Sequence, residues 1–165
     1  MKNKRILFLT QAAMIAALYV VFTLISAALG LSSMQVQVRF SEALTILPYF
    51  TPAAIPGVFI GCLLSNILAG GALLDIIFGS LATLIAAVGT YLLRGHKWLA
   101  PLPPIAANTL IIPFVIRAAY GIGPLWLSFI TVGAGEILSA GVLGMLLLFV
   151  LNKYRRQIFY DCSSK

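Results

Sequence analysis

Long stretches without a charged residue dominate the chain and indicate where helices cross a membrane. Six such stretches lie between the charged positions, at residues 6–38, 43–74, 76–93, 98–116, 118–135 and 137–152. A helix needs roughly 20 apolar residues to cross a bilayer. The pattern predicts spans over about residues 6–30, 75–93, 98–118 and 125–152.

The stretch 43–74 is longer than one span and shorter than two, and Pro48, Pro52 and Pro56 interrupt it. One broken helix or two short helices would fit. Two helices give six spans, and only Arg39 and Arg117 then lie on the outer side of the membrane. Five spans would instead place four cations on one side and seven on the other. Cytoplasmic loops are enriched in Lys and Arg. With six spans, these cations share the cytoplasmic side: Lys2, Lys4, Arg5, Arg94, Lys97, Lys153, Arg155, Arg156 and Lys165.

The sequence therefore predicts an all-α membrane protein, a compact bundle of six transmembrane helices with both termini in the cytoplasm. Its second and third helices, over about residues 41–51 and 53–69, are short, and we expect them to be buried among their neighbours rather than exposed to lipid. One integral-membrane domain covers residues 1–165. The first apolar run is too long for a cleaved signal peptide, so we expect it to be retained as a span.

Composition supports a membrane protein and excludes several other classes. The chain is 61% hydrophobic and 9% charged, against about 25% charged in soluble domains. Its net charge of +7 follows from the positive-inside bias, so no nucleic acid is expected. The sequence contains no phosphate-binding loop, no G-x-S-x-G or H-E-x-x-H motif and no Cys/His cluster. We expect no enzyme activity, no cofactor and no metal site.

Polar side chains gather in the outer half of the predicted bundle. At a rise of about 1.5 Å per residue, Glu136 and Asn108 lie about 15 Å inside their helices, near the middle of the membrane. The other members lie nearer the outer end: Arg39, Glu42, Asn66, Asp75 and Arg117. Together they predict an outward-facing polar pocket.

A carboxylate at that depth is costly unless it is paired, solvated or neutralised, which makes Glu136 the strongest ligand-binding candidate. A neighbouring helix could satisfy it instead. Glu42 and Asp75 each begin a helix, where they could bind ligand or stabilise the helix terminus. Asn66 and Asn108 could bind ligand or hold helices together. The two outer arginines could line the pocket or lie at the membrane interface.

The segment 34–40 alternates polar and apolar residues with a period of two, which is typical of extended chain. Gln35, Gln37 and Arg39 would share one side of it and could cover the pocket. A plain exposed connector has the same pattern.

The first helix carries two pairs of small residues four apart, Ala12 with Ala16 and Ala13 with Ala17. Gly57 and Gly61 form a similar pair in the third helix. Small residues let two helices approach closely. The alanine face could pack inside the bundle or dock a second membrane protein.

The stretch Val36-Gln37-Val38-Arg39-Phe40-Ser41-Glu42-Ala43-Leu44-Thr45-Ile46-Leu47-Pro48-Tyr49-Phe50-Thr51-Pro52-Ala53-Ala54-Ile55-Pro56-Gly57 resembles the queuosine-precursor transporter (QueT) family. That family belongs to the substrate-binding S-components of energy-coupling factor (ECF) transporters. The likeness extends over nearly the whole chain, including the alanine motif, the region of Asn66 and Asp75 and the basic tail.

The resemblance implies a cell-membrane subunit that captures a deazaguanine base from outside. It also implies partners: a transmembrane coupling subunit, which would pack on Ala12 and Ala16, and two cytoplasmic ATPases. Gln37 and Arg39 match the ligand-covering loop. Three other functions fit the same residues: an S-component for another vitamin-type ligand, a stand-alone carrier with a proton relay at Glu136 or Asp75, and an assembly subunit.

Overall fold

The computed structural model describes residues 4–31, 38–121 and 123–155, and all regular secondary structure in these ranges is helical. The elements in chain order are α1 (Lys4–Ala28), a 3₁₀ helix (Phe40–Tyr49), α2 (Ala54–Leu68), α3 (Asp75–Leu92), α4 (Leu102–Tyr120) and α5 (Leu125–Lys153). The prediction of an all-α membrane protein is confirmed.

Four of these helices, α1, α3, α4 and α5, are long and apolar enough to cross a bilayer. Their outer faces carry exposed large apolar side chains, such as Leu9 and Leu146. Lipid favours such faces and water does not. α2 has 15 residues, about 22 Å of helix against the roughly 30 Å of a hydrocarbon core. The six crossings and the side of the termini stay predictions.

The 3₁₀ helix lies in the interior of the bundle, whereas α2 is buried on one face only and exposes Ile60, Leu64, Ile67 and Leu68 on the other, so the expectation that both short helices are buried is wrong for α2. In the 3₁₀ helix, seven of the ten residues are buried. One apolar core surrounds this helix and α2: Ile15, Tyr19, Leu44, Ile46, Leu47, Phe50, Ala54, Val58, Cys62, Ala87, Ala100 and Leu148. Because the backbone of a helix satisfies its own polar groups, such short segments can be buried at membrane depth.

α1 and α2 pack so closely that only glycine fits at the contact. A Cβ atom at Gly57 would lie 2.9 Å from the carbonyl oxygen of Ala12, and one at Gly61 would lie 2.6 Å from the Cβ of Tyr19. Ala12 and Ala16 are buried in this contact. Ala12 and Ala16 of α1 and Gly57 and Gly61 of α2 therefore pack within the bundle.

Hydrogen bonds fix the start of the 3₁₀ helix to two other helices. The amide N–H of Phe40 donates to the hydroxyl of Ser26 in α1 at 2.9 Å, and that of Arg39 donates to Ser139 in α5 at 3.2 Å. Most of the predicted covering segment, including Gln35 and Gln37, lies outside the described residues. The two hydrogen bonds connect Arg39 and Phe40, which end this segment, to α5 and α1.

Candidate functional site

Three polar side chains from three different helices meet in the bundle interior. The side-chain amide of Asn108 in α4 donates to Glu136 Oε1 in α5 at 3.0 Å and to Glu42 Oε2 in the 3₁₀ helix at 3.3 Å. Each of the three residues is less than 9% exposed. An amide nitrogen has two hydrogens, so one asparagine can serve both carboxylates.

Tyr19 of α1 completes the arrangement and was not among the residues predicted from sequence. Its hydroxyl donates to Glu42 Oε1 at 2.5 Å, and the side chain is 1% exposed. The spacing of Tyr19 could have identified it from the sequence, because residues 12, 16 and 19 share one face of a helix. Since Ala12 and Ala16 form a small-residue face, Tyr19 lies on the same buried side.

The two glutamates differ in what their oxygens can still bind. Both oxygens of Glu42 accept hydrogen bonds, from Tyr19 and from Asn108. In Glu136 only Oε1 does so, and Oε2 is buried without a hydrogen-bond partner among the described residues. A buried acceptor without a partner is costly. Glu136 Oε2 is therefore the atom best able to accept a hydrogen bond from a ligand.

A small cavity adjoins this cluster. It is lined by Arg39, Glu42, Gly79, Thr83, Asn108, Ile112, Val132 and Glu136, and its volume is about 20 Å³. That volume holds about one water molecule. A ligand larger than one water molecule could enter only if the lining groups moved apart.

The charges around the cavity favour a ligand that carries hydrogen-bond donors. Glu42 and Glu136 contribute two carboxylates and Arg39 one guanidinium. Arg39 forms no ion pair with any residue in the ranges that the structure describes. N–H groups of a ligand would satisfy the free carboxylate oxygen of Glu136.

Two π-helical segments adjoin the cavity. The first, Asp75–Gly79, begins α3 and ends at a lining residue, and the second, Ile137–Leu143, directly follows Glu136 in α5. Such segments are rare in helices and frequently occur at functional sites. Here the first segment contributes Gly79 to the cavity lining, and the second begins directly after the lining residue Glu136.

Asn66 and Asp75 form a separate cluster that does not line the cavity. The hydroxyl of Tyr120 donates to Asp75 Oδ2 at 3.5 Å and accepts the amide N–H of Ala72 at 3.1 Å. The side-chain amide of Asn66 donates to the backbone oxygen of Asp75 at 3.5 Å. Gly79 separates this cluster from the cavity.

Neither Glu42 nor Asp75 caps its helix. No backbone N–H in the described part of the chain donates to either carboxylate. Arg117 is exposed and does not line the cavity, and Gln37 lies outside the described residues. Of the eight predicted binding residues, Arg39, Glu42, Asn108 and Glu136 come together. Their roles in binding stay predictions.

The alanine face of α1 divides into two halves. Ala12 and Ala16 pack on α2, whereas Ala13 and Ala17 are exposed. All four line an apolar groove of about 430 Å³ between α1 and α2, together with Leu9, Val20, Ile60 and Leu64. Of the four predicted docking residues, only Ala13 and Ala17 are accessible at the surface, and docking there stays a prediction.

Comparison with known proteins identifies the family. The model of the QueT transporter family matches residues 9–153. A curated relative, the queuosine precursor transporter QueT of Lactococcus lactis subsp. cremoris (strain MG1363), is 35% identical over 85 residues, which cover 52% of this chain and 50% of the relative. The match thus spans about half the length of that relative, and no solved structure matches the chain. Because the family match extends from α1 to the end of α5, the chain belongs to the QueT transporter family.

Proposed function

We propose that this chain is the substrate-binding S-component of an ECF importer and captures a deazaguanine precursor of queuosine from outside the cell. The observation that carries the proposal is Glu136 Oε2, a buried acceptor without a partner at the cavity of a QueT-family transporter. The name of the Lactococcus relative supports the choice of substrate.

The chemistry of the base fits the cluster. The guanine-like edge of a deazaguanine carries adjacent N–H donors, which a carboxylate can accept together. Glu136 accepts them in the proposal. Asn108 and Tyr19 already hold Glu42, so this second carboxylate serves to orient Asn108 and to add negative charge.

Ligand binding must enlarge the cavity. Its volume of about 20 Å³ is far below the several hundred Å³ of a typical ligand site. We expect the side chains that line it to separate when the base enters. A ligand that binds the folded state and not the unfolded state should raise the free energy of unfolding by about 2.7 kcal/mol at a concentration a hundred times Kd.

Transport requires partners in this proposal. The sequence has no phosphate-binding loop, so two cytoplasmic ATPases supply the energy through a transmembrane coupling subunit. That subunit docks on the groove beside Ala13 and Ala17. The six-span topology places the nine cations of the termini and of the turn at residues 94–97 in the cytoplasm and opens the site to the outside.

Uptake by proteoliposomes tests the proposal. Vesicles with this chain, the coupling subunit and both ATPases should accumulate radiolabelled aminomethyl-deazaguanine only when ATP is present. Vesicles with this chain alone should not. Uptake by the chain alone along a proton gradient would contradict the proposal and indicate a stand-alone carrier.

Two variants serve as controls for each other. Glu136→Gln should weaken binding of the base roughly tenfold to a hundredfold but still co-purify with the coupling subunit. Ala13→Leu should bind the base normally but lose the partner, because a larger side chain fills the exposed groove. Loss of both properties in either variant would show that the two sites are not separate.

A further inference from the structure

Asp75 has a loosely held carboxylate that the proposed base-binding cluster does not use. The residue is 8% exposed. Its carboxylate accepts a hydrogen bond from the Tyr120 hydroxyl at 3.5 Å, near the upper limit for a hydrogen bond. Within the described ranges Asp75 forms no ion pair and does not cap α3, although its charge interacts with that of the Arg39 guanidinium at the cavity. An almost buried carboxylate with one long hydrogen bond can still accept strong donors.

Gly79 places this carboxylate next to the cavity. The glycine lines the cavity, and a Cβ atom on it would lie 3.4 Å from Asp75 Oδ1 and 3.2 Å from Asn66 Nδ2. Any side chain at this position would therefore occupy the space between the cluster and the cavity. Asp75 lies about one helical turn from Gly79, toward the end of α3 that meets Tyr120.

We propose that Asp75, assisted by Tyr120 and Asn66, forms a second subsite that binds the primary ammonium group of a ligand whose ring occupies the cavity. This inference rests on the proposed function. The ring would lie against Glu136, and its amine substituent would pass Gly79 to reach Asp75. An ammonium group has three donors and a positive charge, which suit a carboxylate with free acceptor positions.

The subsite determines ligand selectivity. It predicts that the protein prefers a deazaguanine with an aminomethyl group over an analogue in which an uncharged nitrile replaces that group. A merely structural Asp75, holding Tyr120 and the segment 69–74 in place, would affect both ligands equally. The ratio of the two affinities therefore separates the roles.

Equilibrium dialysis of the full chain in lipid nanodiscs measures this ratio. For Asp75→Asn we expect the affinity for the aminomethyl ligand to fall about tenfold or more, as a lost charge-assisted hydrogen bond predicts. Affinity for the nitrile analogue should stay within about twofold. An unchanged ratio would overturn the subsite. If the unaltered chain bound neither ligand, the proposed function itself would fail.

Gly79→Ala provides a second test that leaves Asp75 intact. Its added methyl group narrows the passage, so we expect the same selective loss of the aminomethyl ligand. Gly141→Ala is the matched control, because a Cβ there has its nearest contact at an ordinary 3.6 Å and Gly141 does not line the cavity. If Gly79→Ala leaves the ratio unchanged while Gly141→Ala binds normally, the amine does not pass Gly79.

Discussion

At the scale of single residues, the site is organised by one asparagine and one tyrosine. Asn108 bridges the two glutamates, and Tyr19 fixes the far side of Glu42. Glu42 thus has a partner on each oxygen, while Glu136 keeps one oxygen free. In the proposed function the two carboxylates therefore have different roles, one in positioning and one in accepting the ligand.

Removing the Tyr19 hydroxyl should weaken ligand binding through Glu42. In Tyr19→Phe we expect Kd for the aminomethyl base to rise about threefold to tenfold, because a hydrogen bond to a charged group is lost. In a Glu42→Gln background the same change should have much less effect, since coupled residues are not additive. Isothermal titration of the four proteins measures this coupling.

Tyr91→Phe is the matched control for Tyr19→Phe. Tyr91 lies on α3 with its ring against the Arg94 guanidinium, 4.3 Å from the centroid, and does not line the cavity. Its variant should bind the base normally. Additive effects of Tyr19→Phe and Glu42→Gln would refute a positioning role for Tyr19.

The sequence located part of the site and missed part of it for identifiable reasons. Glu136 and Asn108 could be placed at one depth because helix rise converts residue number into distance. Helix rotation and contacts between distant segments cannot be obtained in this way. For that reason Tyr19 was not predicted, and Asp75 and Asn66 were grouped with a cavity that they do not line.

At the scale of elements, α2 depends on close packing with α1. Gly61 lies so close to the Cβ of Tyr19 and the backbone of Ala16 that a larger residue would collide with them. The same contact positions Tyr19 for its hydrogen bond to Glu42. Packing between α1 and α2 is therefore linked directly to the geometry of the site.

Gly61→Ala should destabilise the protein by about 1–3 kcal/mol, the usual effect of an overpacked contact. Its Cβ would be 3.0 Å from the Ala16 carbonyl oxygen, and this backbone atom cannot move aside as a flexible side chain would. Thermal unfolding in detergent measures the change. Gly141→Ala, which has room for a methyl group, should be neutral or slightly stabilising. Equal stability of both variants would contradict the packing described here.

Helix type was harder to predict than helix position. The segment predicted as a helix over about 41–51 is a 3₁₀ helix at Phe40–Tyr49. Because most of its residues are buried, no polar face distinguishes one helical period from another.

At α4, three prolines precede or begin the helix, so it starts at Leu102 rather than at the predicted residue 98. Hydrophobicity alone did not reveal that start.

At the scale of the whole molecule, acidic and basic residues occupy different regions. The acidic side chains in the described ranges, Glu42, Asp75 and Glu136, are buried. The described cations near the predicted cytoplasmic end are exposed: Lys4, Arg5, Arg94, Lys97, Lys153 and Arg155. The exposed cations agree with the predicted cytoplasmic end of the bundle, and the orientation itself stays a prediction.

Single cysteines can test that orientation. In a chain with Cys162→Ser, we expect a membrane-impermeant thiol reagent to label Pro124→Cys in intact cells. His96→Cys should react only after the membrane is permeabilised. Cys62 is buried, so a chain that retains only this cysteine gives the background level of labelling. Labelling of both positions in intact cells would contradict six crossings.

Direct binding of the base is the most decisive measurement for the account as a whole. Radiolabelled aminomethyl-deazaguanine is equilibrated with the purified chain in lipid nanodiscs, beside Glu136→Gln. We expect saturable binding by the unaltered chain and a loss of roughly tenfold to a hundredfold in affinity for the variant, because the amide cannot replace the free carboxylate oxygen. Equal affinity of the two proteins would contradict the role of Glu136, and no binding by either would contradict the proposed site.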